Sequence, residues 1–182
     1  MTFTLCIFGE LGNGKTLLMT ILGYYFHKKG YDVYSNYYTS FGKTLPMDIE
    51  EFVNFFENVD DSRKNLFLMD EIYVFIDSRV SSSIANRVYS SIILQTRKKS
   101  TNLIYTAQDP GSVDLRLRYI TNYLLYPKIN KKKDKINIIV TDMYLDPKKI
   151  IAVNNVSRFF NMYNTKQIIK SEDLYGKIKK RK

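Results

Sequence analysis

The sequence predicts an α/β fold built on a mostly parallel sheet with helices on both faces, and three observations predict it. Short β-prone apolar runs alternate with amphipathic helical stretches. A glycine-rich loop joins the first apolar run directly to the first helix, and a later apolar run ends in two adjacent carboxylates. Strands separated by helices pair in parallel, because each crossover returns the chain to the same edge of the sheet.

The first strand is read at Phe3 to Phe8 (FTLCIF), and Gly9-Glu10-Leu11-Gly12-Asn13-Gly14-Lys15-Thr16 follows it. That stretch is a complete G-x-x-x-x-G-K-[ST] phosphate loop, in the required place between strand and helix. Its glycines let backbone N–H groups turn toward phosphates, Lys15 adds a positive charge, and the Thr16 hydroxyl suits Mg²⁺. The nucleotide-binding candidates are therefore Gly9, Gly12, Asn13, Gly14, Lys15, Thr16 and Leu17. The helix opening near Lys15 presents its positive dipole end to the same anion. Leu17, Leu18, Ile21, Leu22 and Tyr25 form its apolar stripe. Gly30 is placed to close it, and Tyr31 to Tyr34 read as the second strand. His27, the only histidine, sits in the last helical turn, where it complements the dipole. The tyrosines at 24, 25, 31, 34, 37 and 38 serve as strand and interface filler or as stacking platforms for bases.

From Thr44 the sequence TLPMDIEEF supplies a capping hydroxyl, a proline and three acids, the marks of a helix start. Ile49, Phe52, Val53 and Phe56 then fall at i, i+3, i+4 and i+7, the stripe of a helix packed on a sheet. The next strand, Asn65 to Asp70 with Glu71 following (NLFLMD-E), carries the second chemical element. Asp70 is delivered to the rim beside the phosphate loop, where it can hold a Mg²⁺-bound water, and Glu71 is placed to orient and deprotonate the attacking water. A helix over about 83–99 ends in Arg97-Lys98-Lys99. The strand Asn102 to Ala107 then brings Gln108 to the same rim, where a polar side chain can contact the γ-phosphate or the water.

Asp109-Pro110-Gly111 turns into a short helix around Val113 to Arg118. Tyr123 to Tyr126 and Lys135 to Thr141 read as an antiparallel edge hairpin joined by a lysine-rich turn, Lys128 to Lys133. Lys131, Lys132 and Lys133 are candidate DNA-backbone contacts, or lysines that keep an edge soluble. Ile150 to Val153 reads as a short final strand or extended piece and Ser157 to Met162 as a short helical turn. Residues 1–170 are expected to form one domain and 171–182 a basic, mobile tail, with five bases in its last six positions.

At 182 residues and 45% hydrophobic, the chain can bury one good core. Residues 1–91 carry 8 Lys+Arg against 11 Asp+Glu, while residues 92–182 carry 20 against 7. The basic half points to a partner with negative charge, with nucleic acid first and an anionic membrane surface second, or simply to a solvated lysine-rich face. The single cysteine, Cys6, lies within the first strand, so no disulfide can form within the chain. No apolar run reaches the ~18 residues of a membrane span, and Met1 leads into strand rather than into a leader. The expected location is the cytoplasm.

G-E-L-G-N-G-K-T, L-F-L-M-D-E and T-A-Q-D-P together resemble the FtsK/HerA-like branch of additional-strand P-loop ATPases. Within it they resemble the zonula occludens toxin-like (Zot-like) proteins and viral DNA-packaging ATPases, over about residues 1–125. The resemblance implies a RecA-like sheet of order 5-1-4-3-2 and a hexameric, pentameric or similar ring. It also implies ATP with Mg²⁺ as cofactors and movement of double-stranded DNA, with a virion or portal component as a further partner. It makes Lys15 and Thr16 phosphate and Mg²⁺ ligands, Asp70 and Glu71 the metal and water residues, and Gln108 a polar sensor. Arg79, eight residues after Glu71, and Arg97 become the arginine-finger candidates, and FFNMYNT at 159–165 looks like a Tyr-Asp-Thr motif of the Zot-like domain. The chain lacks the membrane-spanning helix of filamentous-phage assembly members, which shifts weight from export to packaging. A nucleotide-switched loader or plasmid partition module is the alternative of a different class. A small-molecule kinase fits less well, given the adjacent acids and the missing arginine-rich lid.

Overall fold

A computed structural model describes residues 2–46, 48–74, 91, 93–142 and 146–164. Eight strands form one sheet: β1 (Thr4–Phe8), β2 (Asp32–Ser35), β3 (Lys43–Thr44), β4 (Asn65–Met69), β5 (Thr101–Ala107), β6 (Tyr123–Asn130), β7 (Lys135–Thr141) and β8 (Pro147–Asn154). Their order is β3-β2-β4-β5-β1-β6-β7-β8. The strands from β3 through β6 are parallel, and β7 and β8 are antiparallel additions. Leaving out the two-residue β3, the five parallel strands run 5-1-4-3-2 in chain order, as a RecA-like sheet requires. The two flanks, β3 on one side and β7–β8 on the other, extend that sheet.

The central strands are apolar because both their faces are covered, and every residue of β4 and β5 is buried. On one face lies α1 (Lys15–Lys28), with Leu17, Leu18 and Ile21 packed on Ile7, Leu66, Leu68 and Ile104. The expected stripe on α1 is broader than its sequence pattern and ends sooner. Met19, Thr20 and Gly23 are also buried, whereas Tyr25 is 44% exposed. Gly23 faces Leu68 so closely that an added Cβ would stand 2.5 Å from its side chain.

On the other face lie α2 (Ile49–Asn58) and the short α3 (Leu115–Ile120). Phe52 and Phe56 of α2 are buried and pack around Phe67, each contributing about 1.5–3 kcal/mol by burial. The cap of α2 is Asp48, whose Oδ1 accepts from the backbone N–H groups of Glu50 (2.9 Å) and Glu51 (3.2 Å). Thr44, the capping hydroxyl in the sequence reading, belongs instead to β3, because pairing with Ser35 extends the chain there.

The C-terminal hairpin is longer than expected. β6 runs on through Pro127 to Asn130, paired with β7 in unbroken register, and the turn is confined to Lys131–Lys133 and the left-handed Asp134. Proline reads as a strand breaker, but beyond Leu125 β6 has β7 alone as neighbour, so the missing N–H forfeits no bond to β1. β8 occupies eight residues rather than four, and a 3₁₀ turn, Val156–Met162, packs Val156 and Phe159 against the α1 face. The predicted helix over 83–99 is described only at its end, which tightens into a 3₁₀ turn at Thr96–Lys99. Arg79 and the basic tail lie outside the described residues. Among the described residues no helix is long and apolar enough to cross a membrane.

Candidate functional site

Register sets the site. Phe8 of β1 and Met69 of β4 pair with Ala107 and Tyr105 of β5, so the carboxyl ends of three adjacent parallel strands lie side by side. The strand order reverses beside β1, and open parallel sheets bind ligands at such a switch point. Gly9, Asp70 and Gln108 all emerge at this rim, as expected.

The loop after β1 needs its glycines for two different reasons. Gly9 has φ +135°, and a Cβ there would stand 2.8 Å from the Tyr126 ring of β6. Gly14 has φ +89°, and a Cβ would stand 3.2 Å from Ile136. The β6–β7 hairpin therefore backs the loop directly, and Asn13 Nδ2 donates to the Tyr126 hydroxyl at 3.4 Å. Gly9 N–H donates to the Gln108 carbonyl at 3.3 Å. The first turn of α1 contains no acid, so the positive end of its dipole suits an anion. Lys15 Nζ donates to the carbonyls of Gly9 (2.7 Å) and Glu10 (3.0 Å), folding its ammonium back over the loop. Partial burial lowers the Lys15 pKa, and the charges of Asp70 and Glu71 oppose that shift.

Asp70 is the hub. Its Oδ2 accepts from Thr16 Oγ1 at 3.0 Å, and its Oδ1 accepts from Thr106 Oγ1. The two residues read as metal ligands are thus in contact across 54 positions of sequence. Burial pushes the Asp70 carboxyl above the usual carboxylate range, while the two threonine bonds and Lys15 draw it down. A cation beside it would complete that compensation. Asn36, immediately after β2, brackets the Asp70 peptide: its Oδ1 accepts from Asp70 N–H (2.7 Å) and its Nδ2 donates to Asp70 C=O (2.9 Å).

Glu71 takes φ +50°, a conformation that costs a non-glycine residue on the order of 1–3 kcal/mol and is held by its surroundings. Its N–H donates to Thr106 Oγ1 at 2.8 Å. The same hydroxyl thus fixes both acids, one through its carboxylate and the other through its backbone. The Tyr73 phenol lies near the Gln108 side chain and the Glu71 carboxylate. Burial raises the Tyr73 pKa, and the charge of Glu71 raises it further. Thr106, Asn36 and Tyr73 were missed in the sequence. A threonine inside an apolar strand, one place before its end, and an asparagine directly after β2 were the available signals.

These groups open onto a cavity of about 530 Å³. Gly12, Gly14, Lys15, Thr16, Asp70 and Glu71 line it together with Leu11, Ile129, Phe160 and Tyr163. Lys131 also lines it, whereas Lys132 and Lys133 do not. Gln108 stands at the rim without lining the cavity. Arg97 lies in the 3₁₀ turn before β5, at the opposite end of that strand from Thr106.

Comparison with known proteins agrees with this geometry. The model of the ATPase family associated with various cellular activities (AAA) matches residues 5–128. The N-terminal domain of zonular occludens toxin from Neisseria meningitidis superposes with a TM-score of 0.57 at 15% identity, covering 97% of this chain and 100% of that one. The genome packaging NTPase B204 of Sulfolobus turreted icosahedral virus 2, solved with ATP-gammaS, gives 0.58 at 8% identity, covering 82% and 96%. The same NTPase solved with sulfate gives 0.56 at 10% identity, covering 83% and 95%. No curated protein matches by sequence. These structures share the fold, and the family match spans the phosphate loop, both acids and the strand that carries Thr106: the chain belongs to the AAA family of P-loop ATPases.

Proposed function

We propose that the chain is a Mg²⁺-dependent ATPase motor of the FtsK/HerA-like branch that moves double-stranded DNA, in viral genome packaging. The observation that carries this reading is the Thr16–Asp70–Thr106 network with Glu71 beside it, because binding alone needs no positioned base. Lys15 and the loop N–H groups hold the phosphates. Thr16 and Asp70 hold the ion, and Glu71 orients the water and takes its proton. The donor set fits Mg²⁺, which binds through one or two carboxylates and the substrate's phosphates. Among the described residues no cluster of three His, Cys, Asp or Glu offers a cage of its own. Bound there, Mg²⁺ neutralises developing phosphate charge. Residues 1–170 make the ATPase domain, working in the cytoplasm as a ring of five or six copies.

Steady-state hydrolysis with and without double-stranded DNA tests the motor. Stimulation by DNA is expected, and Lys15→Ala is expected to abolish turnover, since the loop loses its side-chain cation. Turnover at the parent rate in that variant would sink the phosphate reading. Vigorous turnover that ignores DNA points to a recruiting or loader module. The near-complete overlay on the zonular occludens toxin domain supports a second reading, virion assembly or export.

DNA affinity is expected to fall with salt at a slope near −0.9 per phosphate neutralised. Reversing Lys132 and Lys133 should reduce that slope by about 1 for each lysine that touches a phosphate. Lys131 is left intact in this test because it lines the nucleotide cavity. An unchanged slope assigns the pair to solubility.

A further inference from the structure

We propose that the uncovered face of the β6–β7–β8 extension is the surface on which the chain seats duplex DNA, held through the phosphate backbone. The surface depends on the motor reading above, which supplies the polymer. Alternation along the strands separates the two faces of the extension. Ile136, Ile138 and Val153 turn to the α1 side, where they pack with Val156 and Phe159. Lys128, Lys135, Asn137, Ile139 and Ala152 fall on the other side. Among the described residues, the core beneath α2 and α3 on that side includes Leu124 and nothing further along β6, β7 or β8. Ile139 is accordingly 36% exposed and its cross-strand partner Ile150 71%.

The face is positive and carries no acid. None of its three strands contains Asp or Glu. Asp134, in the turn between β6 and β7, gives its carboxylate to Ser157 N–H and Ser157 Oγ at 2.7 Å each. Two rows beside that turn hold the polar groups: Lys128 next to Asn137 and Ala152, then Asn130 next to Lys135 and Asn154. The rows lie about 6.7 Å apart and the strands about 4.8 Å, so cations and amides alternate over a small flat patch. Lysine and asparagine are side chains that hold phosphate oxygens and fix a protein on the duplex without reading its sequence. Lys132 and Lys133 continue the same charge into the turn. A single strand calls for free aromatic platforms. Among the described residues the ring on this face is Tyr126, already set against Phe8 and bonded by Asn13. A second copy of the chain brings like charge against like, which opposes pairing of this face with itself. The bond from Asn13 also joins the surface to the phosphate loop, since Tyr126 lies two residues from Lys128 on the same side of β6.

The test is fluorescence anisotropy of labelled duplex DNA over a salt series. Lys128→Gln and Lys135→Gln are each expected to reduce the salt slope by about 1. Lys149→Gln, which pairs with Val140 on the other face, is expected to leave it unchanged. Hydrolysis of ATP without DNA should stay at the parent rate in all three variants, which shows that they fold. Because the chain has no tryptophan, Ala152→Trp on the open face and Lys149→Trp on the other each report on one position. Quenching of the first and not the second by duplex DNA supports the surface. Unchanged slopes in Lys128→Gln and Lys135→Gln, or equal quenching of both reporters, overturns it. So does Ala152→Trp emission that answers to phosphatidylserine vesicles and not to DNA, which gives the face to a membrane, or to protein concentration alone, which gives it to a second copy. A parent chain that hydrolyses ATP but binds no duplex at low salt fails the motor reading itself, whereas a parent that binds duplex as well as both lysine variants do fails this face alone.

Discussion

Glu71→Gln is expected to bind Mg²⁺-ATP as the parent does while turning it over about 10²-fold or more slowly. The amide keeps the size and the hydrogen-bonding reach of the carboxylate but cannot take a proton from water, and a positioned base contributes on that scale. The backbone contact that holds this residue, from Glu71 N–H to Thr106, does not involve the side chain and survives the change. Asp70→Asn should behave differently. Its carboxylate accepts from Thr16 and Thr106 and is the donor that fits the ion, so the amide weakens Mg²⁺-dependent binding itself. Calorimetric affinities alongside single-turnover rates distinguish the two. Lost binding in Glu71→Gln together with normal turnover in Asp70→Asn would exchange the roles assigned to these acids.

What the sequence revealed and what it hid divide along a physical line. The phosphate loop, the strand before it and the acids after β4 are contiguous in sequence, because each must present its groups from one turn of backbone. Contacts between strands carry no such signature. Thr106 reaches Asp70 only through the pairing of β4 with β5, and in sequence it is one threonine in an apolar run. Asn36 likewise gains its meaning from β2 lying beside β4. Gln108, read for its polarity at a strand end, does reach the rim, but it is the buried Thr106 behind it that touches both acids. The lysines of the hairpin turn looked equivalent as a run. The fold separates them, because Lys131 adjoins the last residue of β6 and lines the cavity while its neighbours do not. The strand end read at Tyr126 and the cap read at Thr44 gave way for the same reason: a local preference yielded to pairing partners that only the assembled sheet supplies.

The largest expected effect concerns a charge that the described residues do not bring to the cavity. Lys15 and Lys131 are the cations that line the cavity, and no arginine among the described residues does. Arg63 is paired with Asp32 at 2.6 Å, Arg116 with Asp114 at 2.8 Å, and Arg158 lies on Phe159. A charge that meets the phosphates only in the transition state contributes about 10³-fold or more, and a neighbouring subunit often supplies it. Arg97 precedes β5, and the five strand residues from Thr101 to Tyr105 set it about 17 Å of strand away from Thr106, farther than an arginine side chain can span within one subunit. The expectation is that it acts in trans, at active sites between subunits, with Arg97 preferred over Arg79 as the finger. Mixing Lys15→Ala subunits, which keep their arginines, with Arg97→Ala subunits, which bind nucleotide, should recover activity that each lacks alone. The Arg97→Ala protein by itself should hold ATP normally and turn over about 10³-fold slower. A mixture that co-assembles and stays inactive, or a monomer fully active at high dilution, removes the trans arginine from the mechanism and requires the charge to come from the subunit's own chain.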